Sequence, residues 1–253
     1  SGDYLQELID KITYCIGDEG SDALSCLYLK PAQEGRIEAA GMNGHQFAMV
    51  SFSQDDLHGL LPPEGILVQK KYIAELKKWL GNDEINVNTG DKRLFLRSEN
   101  KTESMSLPLS SYQYPDYTVF LSRLKDDGVS TLTLDREECQ DALQRIAIFN
   151  SESNRCTYFD LTDKEATLAA TGQDIGSATE SLDVEYDGNI ERIAFPTNNL
   201  MGIMDHFNSP QLSLTLTGPE GPCGIRGKDD VEYLVIIMPM KIIDDVTLNE
   251  EEI

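Results

Sequence analysis

A unit of one helix followed by three strands recurs four times along the chain, and this repeat constrains the fold more than any other feature. Four segments, residues 4–16, 70–80, 136–149 and 198–207, place apolar side chains at the i, i+3, i+4 spacing of an amphipathic helix. Each is followed by three short strand-like segments with turn residues between them. The helices begin about 65 residues apart, and a repeat at a fixed period indicates a modular architecture.

Two such units are expected to form one domain, so the chain is predicted to contain two α+β domains, each a pseudo-twofold repeat of helix plus strands. The charged stretch at residues 122–128, which ends in glycine, marks the boundary. The predicted domains are residues 1–122 and 123–242, followed by an acidic tail at 243–253. Strands also precede the last three helices, at residues 65–68, 130–134 and 190–195. The first helix has none before it, so the sequence is expected to be cut from a longer parent chain.

The net charge of the chain distinguishes between two kinds of DNA-binding protein. The sequence has 21 Lys and Arg against 44 Asp and Glu, a net charge of −23. A protein that reads a DNA groove neutralises phosphates with basic side chains, so this composition argues against a groove reader. A protein that encircles DNA needs only a modest basic lining, and an acidic exterior reduces nonspecific binding. The sequence also has no membrane-spanning apolar run and no secretion signal, so a cytoplasmic location is expected.

No catalytic or metal-binding motif stands out. The chain contains no P-loop, no glycine-rich dinucleotide fingerprint and no Gly-x-Ser-x-Gly elbow. Its five cysteines are widely spaced and form no Cys-x-x-Cys pair, which indicates buried reduced thiols rather than a zinc site. The glycine-rich stretch at residues 218–224 lies between two predicted strands and is interpreted as a tight turn. We therefore predict a protein that is not an enzyme and that uses no cofactor or metal.

Three short stretches carry a resemblance to one family. Asn43-Gly-His-Gln-Phe-Ala48 resembles the Asp-Gly-His-Arg-Leu-Ala stretch of the bacterial DNA polymerase III beta subunit, the sliding clamp. Tyr114-Pro-Asp-Tyr117 is similar to the Phe-Pro-Asp-Tyr junction between that family's second and third domains, and the sequence from Tyr233 to Ile242 resembles its C-terminal strand. The order and spacing of the three stretches agree with the second and third domains over nearly the whole chain.

The resemblance implies a ring that encircles duplex DNA without sequence specificity, with helices on the inner face and antiparallel sheets outside. It implies two three-domain chains in the full ring. Its implied protein partners are the replicative polymerase, the clamp loader and repair polymerases, which dock short peptides in a hydrophobic pocket between the second and third domains. Carried over by motif, the pocket residues are Leu27, Gly44, His45, Phe47, Pro115, Val119, Phe120, Ile236, Met238, Pro239 and Met240.

The chain departs from the family pattern at the rim of this implied pocket. Gln46 stands where the family has arginine, and Thr118 and Val119 stand where it has a pair of arginines. The rim is therefore less basic, and its preferred peptide is expected to differ.

The DNA-facing residues are a separate prediction, based on where basic side chains fall on the predicted helices. Lysines are concentrated on the second helix, although the protein as a whole is acidic. In a clamp these helix faces would meet phosphates. The predicted set is Lys11, Lys70, Lys71, Lys77, Lys78, Arg136 and Arg145.

Three alternative functions stay open from the sequence. The first is the two-domain, trimeric clamp of archaea and eukaryotes, whose length and acidity also match. The second is an enzyme with a site in an interdomain cleft, and the third is an interaction scaffold without a DNA role. Oligomeric state separates the trimeric clamp from the bacterial type. Because the bacterial family's first domain takes part in ring closure, this chain is expected to be monomeric or weakly dimeric.

Overall fold

The computed structural model describes residues 1–150, 155–172 and 176–242, and its contacts divide the chain into two compact units. The first unit contains Ser1–Thr118 together with Asp230–Ile236. The second contains Val119–Asp229 and, after Ile236, the described residues 237–242. The predicted acidic tail at 243–253 lies outside the described residues. The main division at Thr118 is four residues before the predicted boundary, while the short segment Asp230–Ile236 groups with the first unit.

The first unit is built from three helices and two antiparallel sheets. Its helices are α1 (Gly2–Thr13), α2 (Asp55–Leu60) and α3 (Lys70–Trp79). A further short helix, α4 (Thr118–Arg123), begins at the last residue of Ser1–Thr118 and lies otherwise in the second unit. One sheet has the order β4–β1–β2–β3, formed by β1 (Cys26–Pro31), β2 (Arg36–Met42), β3 (Gln46–Ser53) and β4 (Ile66–Gln69). The other has the order β5–β6–β7, formed by β5 (Ile85–Thr89), β6 (Arg93–Ser98) and β7 (Ser104–Pro108).

The segment Asp230–Ile236 adds to the β3 side of the first unit. The Ser51 amide donates a hydrogen bond to the Glu232 carbonyl oxygen at 2.9 Å, and the Arg36 guanidinium pairs with the Glu232 carboxylate at 2.9 Å. Most of the last strand, β15 (Tyr233–Ile237), lies in this segment and is buried along its whole length. The C-terminal strand is therefore part of the core of the first unit.

The second unit contains one seven-stranded antiparallel sheet and two long helices. The helices are α5 (Arg136–Ala147) and α6 (Thr197–Met204). The strands are β8 (Ser130–Asp135), β9 (Cys156–Leu161), β10 (Glu165–Gly172), β11 (Gly176–Asp187), β12 (Arg192–Pro196), β13 (Gln211–Leu216) and β14 (Cys223–Gly227). Their order in the sheet is β12–β9–β10–β11–β8–β13–β14.

The element order confirms the fourfold repeat. Helices α1, α3, α5 and α6 are each followed by three strands, and β4, β8 and β12 precede the last three helices, as predicted. The pairing also repeats, since the strand before the second helix pairs with the first strand of the preceding triplet in both units: β4 with β1 and β12 with β9. Short helices α2 and α4 were not predicted, because six residues are too few to show a helical period.

Within each unit the two repeat helices lie side by side. In the first unit the Gln6 side-chain amide on α1 donates to the Leu80 carbonyl oxygen after α3 at 2.6 Å. In the second unit Gln140 on α5 donates to the Asp205 carboxylate after α6 at 2.7 Å. The sequence also encodes the helix starts, since the Asp135 side chain accepts from the Glu138 amide at 3.0 Å and caps α5. This arrangement agrees with the predicted α+β class.

Alternating burial fixes which face of each strand packs inward. In β8 every second residue is buried, and Leu132 and Leu134 are inaccessible or nearly so. Phe159 and Phe195 meet edge to face with ring centroids 5.4 Å apart in the same core. The register follows from this pattern because a shift of one residue would expose every buried side chain of the strand.

Close packing of α1 on β2 leads to a first prediction, for which the chain supplies a matched control. A β-carbon added at Gly41 would lie 2.7 Å from Ile16 Cγ1 and 2.8 Å from Ile12 Cγ2, so Gly41→Ala is expected to lower the free energy of unfolding by about 1–3 kcal/mol. Gly202 lies within α6 with open space around its Cα, so Gly202→Ala is expected to raise it by about 0.5–1 kcal/mol. Urea denaturation of both variants measures the difference, and equal effects would contradict the described packing.

Candidate functional site

An aromatic cluster in the first unit surrounds the predicted pocket residue Phe47. Its members are Tyr28, Phe47, Tyr114 and Tyr117. The rings of Phe47 and Tyr117 are 4.9 Å apart, and those of Tyr28 and Tyr114 stack at 4.4 Å. Tyr117 donates a hydrogen bond to the Glu38 carboxylate, and the Lys30 ammonium lies 5.1 Å from the Tyr117 ring centroid. The cluster holds the Tyr114-Pro-Asp-Tyr117 segment against the sheet.

The cluster is a structural support, because Phe47, Tyr114 and Tyr117 are buried. Burial raises the pKa of Tyr28, Tyr114 and Tyr117, so all three hydroxyls stay neutral at physiological pH. The family motif pointed to the Tyr114–Tyr117 segment, but Tyr28 was missed. Its strand pattern alone gives no signal that its ring lies against Tyr114, because the two residues are far apart in sequence.

The Asn-Gly-His motif forms the turn between β2 and β3. The Asn43 side-chain oxygen accepts hydrogen bonds from the amides of His45 and Gln46, at 3.0 and 2.9 Å. Gly44 has φ +92°, a conformation that favours glycine. His45 is exposed at the tip and Phe47 points into the core. The motif therefore fixes a turn that presents one polar ring beside a buried aromatic anchor.

The other predicted pocket residues differ in accessibility. In the first unit Leu27 and Ile236 are buried on strands, whereas Pro115 is exposed. In the second unit Val119 and Phe120 are exposed on α4, Met238 and Pro239 are half-buried, and Met240 is exposed. The Met240 amide donates to the Ala194 carbonyl oxygen of β12 at 2.7 Å, which anchors this end of the chain to the second sheet. Exposed apolar residues are available to a ligand; Leu27, Phe47 and Ile236 support the fold.

The predicted DNA-facing lysines of α3 are mostly engaged with groups of the protein. Lys70 donates to the Ile16 carbonyl oxygen at 2.9 Å, and Lys77 pairs with the Asp10 carboxylate of α1. Lys78 pairs with Glu75 at 2.9 Å, although both side chains are largely exposed. Lys71 lies 5.0 Å from the centroid of the Tyr72 ring. The Lys77 and Lys78 ion pairs lie at the surface, where such contacts contribute little to stability, whereas the Lys70 hydrogen bond is part-buried.

Lys11 occupies a very different environment from the other predicted cations. Its side chain is 17% exposed and its ammonium pairs with Asp230, whose side chain is 1% exposed, at 3.3 Å. It also pairs with Glu7 at 3.0 Å and lies 5.4 Å from the Tyr233 ring centroid. Tyr233 in turn donates its hydroxyl to the Lys11 carbonyl oxygen at 2.8 Å. Lys11 therefore serves to join α1 to the C-terminal strand segment inside the first unit.

Asp230 is an acidic residue in the loop before β15, yet it is only 5% exposed. Its carboxylate has the Lys11 ammonium as a partner from a distant part of the chain. Spacing along the sequence could not reveal this pair.

The two predicted cations of the second unit are also hydrogen-bonded. Arg136 donates to the Ser209 carbonyl oxygen at 3.1 Å and to Gln140 at 3.1 Å. Arg145 makes two hydrogen bonds to the Glu180 carboxylate, at 2.6 and 2.8 Å. This pair raises the pKa of Arg145 and lowers that of Glu180, so both stay charged. A DNA phosphate would have to compete with Glu180 for Arg145.

The thiols carry no sign of a reactive or metal-binding site. All five cysteines are free and buried. Burial raises the pKa of Cys15 and Cys139 to about 12, which keeps both thiols protonated. Among the described residues no group of three or more His, Cys, Asp or Glu side chains is placed to hold a metal ion. In the same part of the chain no helix is long and apolar enough to cross a membrane.

Paired repeats of a helix and strands on antiparallel sheets are the architecture that the sequence motifs led us to expect. Residues 125–241 match the family described as DNA polymerase III beta subunit, C-terminal domain. This match agrees with the family resemblance that the sequence motifs indicated.

Relatives extend the resemblance over both units. The beta sliding clamp of Caulobacter vibrioides is 24% identical over 242 residues, which cover 94% of this chain and 64% of the relative. That of Pseudomonas aeruginosa is 22% identical over 243 residues, with the same coverage. The chain thus spans just under two thirds of the length of these curated relatives.

Solved structures agree with this fold. A Caulobacter crescentus beta sliding clamp superposes with a TM-score of 0.85 at 22% identity, covering 95% of this chain and 64% of the other. The DNA polymerase III beta subunit of Thermotoga maritima gives 0.85 at 17% identity, covering 96% and 64%. The fold is therefore that of bacterial sliding clamps, confirming the predicted fold class.

Proposed function

We propose that the chain is the two-domain part of a DNA sliding clamp that binds partner peptides and lies along duplex DNA in an assembled ring. The observation that carries the proposal is the agreement of fold over 95% of the chain with a bacterial sliding clamp, at a TM-score of 0.85. The first unit would be the middle domain and the second the C-terminal domain. In this role the chain contributes no catalysis, and it works in the cytoplasm with the replicative polymerase, clamp loader and repair polymerases.

The proposed peptide site uses the exposed members of the predicted pocket set. Val119, Phe120 and Met240 are 52%, 36% and 43% exposed, so their apolar side chains are accessible to a partner. Methionine is flexible and adapts to different apolar partners. His45 adds one polar group at the tip of a fixed turn. These features support an apolar peptide ligand with a few polar contacts, of the type rich in Gln, Leu and Phe.

The proposed DNA role depends on few cations. Lys11 is held by Asp230, so the contribution of α1 is small, and the lysines of α3 provide most of the available charge. A few lysines in a protein of net charge −23 cannot hold DNA tightly by affinity. Retention on DNA would then depend on ring closure, which agrees with a sliding role.

DNA binding by this chain alone is expected to be weak and strongly reduced by salt. We expect a Kd above about 0.1 mM near physiological salt, with a slope of log K against log salt of about −2 to −3. Fluorescence anisotropy with duplexes of two unrelated sequences measures both quantities. Exchanging the α3 lysines for glutamine should bring the slope near zero, whereas the same change at four lysines elsewhere should not. The α3 set is Lys70, Lys71, Lys77 and Lys78, and the control set is Lys92, Lys101, Lys164 and Lys228.

Two outcomes of that titration would contradict the proposed DNA role. One is tight or sequence-dependent binding at physiological salt, which a clamp lining cannot supply. The other is an equal loss in the two glutamine variants, which would mean that DNA responds only to net charge. Sedimentation of the same samples also tests assembly, because a stable trimer would favour the archaeal and eukaryotic type of clamp.

A further inference from the structure

The first unit contains an open cleft of about 850 Å³ that the proposed function does not use. It lies between the residues that follow α2, the turn joining β5 to β6, and the segment before α4. Its lining includes Tyr28, Tyr112, Tyr114, Glu64 and Asp91. This volume falls in the range of small-ligand and peptide sites.

The cleft wall is built by specific contacts. The Tyr28 hydroxyl donates to the Glu64 carbonyl oxygen at 2.8 Å, and the Tyr28 ring stacks on Tyr114 at 4.4 Å. Gly65 allows this approach: its φ is +76°, and a β-carbon there would lie 2.6 Å from the Tyr28 ring. Thr89 donates a hydrogen bond from its hydroxyl to the Leu60 carbonyl oxygen at 2.8 Å, which joins the end of β5 to the end of α2. These hydrogen bonds and the ring stacking fix the positions of the segments that line the cleft.

The charges that line the cleft have one sign. Glu64 and Asp91 lie on its lining, and the described residues that line it include no Lys or Arg. Neither carboxylate takes part in an ion pair with the described part of the chain. Tyr112 is 46% exposed, so part of its side chain is accessible to a ligand. Two carboxylates and one exposed tyrosine on the lining of the same cleft favour a cation and disfavour a nucleic-acid phosphate.

We propose that this cleft is a second docking site, which takes an arginine-bearing segment of a partner protein. A guanidinium is planar, so it can stack on a tyrosine ring while it donates two hydrogen bonds to a carboxylate. In this arrangement Tyr112 stacks on the guanidinium, and Glu64 or Asp91 accepts its hydrogen bonds. The site is distinct from the proposed peptide surface and takes a ligand of different chemistry, since it attracts positive charge where the other surface attracts apolar side chains.

The test is a titration of the full chain with acetyl-Gly-Ser-Arg-Ser-Gly-amide, followed by NMR in 150 mM salt, where long-range attraction to the acidic surface is screened. The expected result is millimolar binding, with shifts at Tyr112 and around Gly90. The same peptide with citrulline in place of arginine keeps the shape and loses the charge, and it should bind at least threefold more weakly.

Paired variants assign the binding to this cleft. Tyr112→Leu should weaken binding at least threefold, while Tyr112→Phe, which keeps the ring, should stay within twofold of the original. The double change Glu64→Gln and Asp91→Asn should also weaken it at least threefold. The control double change Glu185→Gln and Asp187→Asn, on exposed positions of β11, should have no effect.

Three results would overturn the proposal: equal binding of the arginine and citrulline peptides, equal losses in the two double variants, or no binding to a folded chain. Tyr112 is exposed and the charge changes conserve size, so the variants are expected to fold, which far-UV circular dichroism checks. Because the Gln-Leu-x-Leu-Phe type of peptide would bind elsewhere, failure here leaves the proposed clamp function standing.

Discussion

Replacing Lys11 by methionine is expected to lower the free energy of unfolding by about 3 kcal/mol, although Lys11 was predicted as a DNA contact. The change removes the ammonium that neutralises Asp230, whose side chain is 1% exposed. Loss of one partner of a buried ion pair costs about 3–5 kcal/mol, because the remaining charge stays buried. Methionine keeps most of the packing volume of the lysine stem, so the effect reports chiefly on charge. Urea denaturation monitored by circular dichroism gives the free energy directly.

Two further variants control this experiment. Lys78→Met breaks an ion pair with Glu75 in which both side chains are about 70% exposed, so its effect should stay within about 0.5 kcal/mol. Adding Asp230→Asn to Lys11→Met removes the buried negative charge and should recover part of the lost stability. If Lys11→Met were as mild as Lys78→Met, Lys11 would not join α1 to the C-terminal segment as described.

A comparison of Phe47→Ala with Met240→Ala is expected to distinguish a residue that supports the fold from one that is available to a peptide. Phe47 is 4% exposed and packs on Tyr117, so Phe47→Ala is expected to lower the free energy of unfolding by about 3–5 kcal/mol. Met240 is 43% exposed, so Met240→Ala should change stability by less than about 0.5 kcal/mol. Met240→Ala should nevertheless weaken peptide binding about tenfold, the equivalent of roughly 1.4 kcal/mol of lost apolar contact.

Denaturation and peptide titration of the same two variants give the comparison. A matched control is Ile148→Ala, which removes a 72% exposed apolar side chain from the end of α5, outside the predicted pocket set. It should leave peptide affinity unchanged. Equal losses of affinity in Met240→Ala and Ile148→Ala would mean that the peptide contacts exposed apolar surface without selecting the proposed site.

The fold was predictable from the sequence because its signals are local and repeated. Apolar periodicity placed the helices at α1, α3, α5 and α6, and alternation placed the strands, with end points that differ by a few residues. The turn predicted at residues 218–224 lies between β13 and β14, where the Gly221 amide donates to the Gly218 carbonyl oxygen at 3.3 Å, but its last two residues belong to β14. What a local pattern could not show is the grouping of Asp230–Ile236 with the first unit, because this depends on contacts with residues about 200 positions earlier.

The candidate site was less accessible to sequence reasoning. Family motifs led to Gly44, His45 and Phe47, and the structure gives these residues distinct roles in a turn and a core. The lysine pattern identified α3, but it could not distinguish exposed lysines from Lys11, whose partner is a buried aspartate. The cleft beside Tyr28 left no trace in the sequence either, since its lining comes from four separated segments.

The most direct test of the clamp assignment is calorimetric titration of the chain with a peptide of the Gln-Leu-x-Leu-Phe type, with a scrambled peptide as control. Burial of a Leu or Phe side chain contributes roughly 1.5–3 kcal/mol, and association and ordering costs offset part of the total. We expect one peptide per chain with a Kd near micromolar, about −8 kcal/mol, and no binding of the scrambled sequence. No binding of the first peptide, or equal binding of both, by a chain shown to be folded would contradict the proposed function.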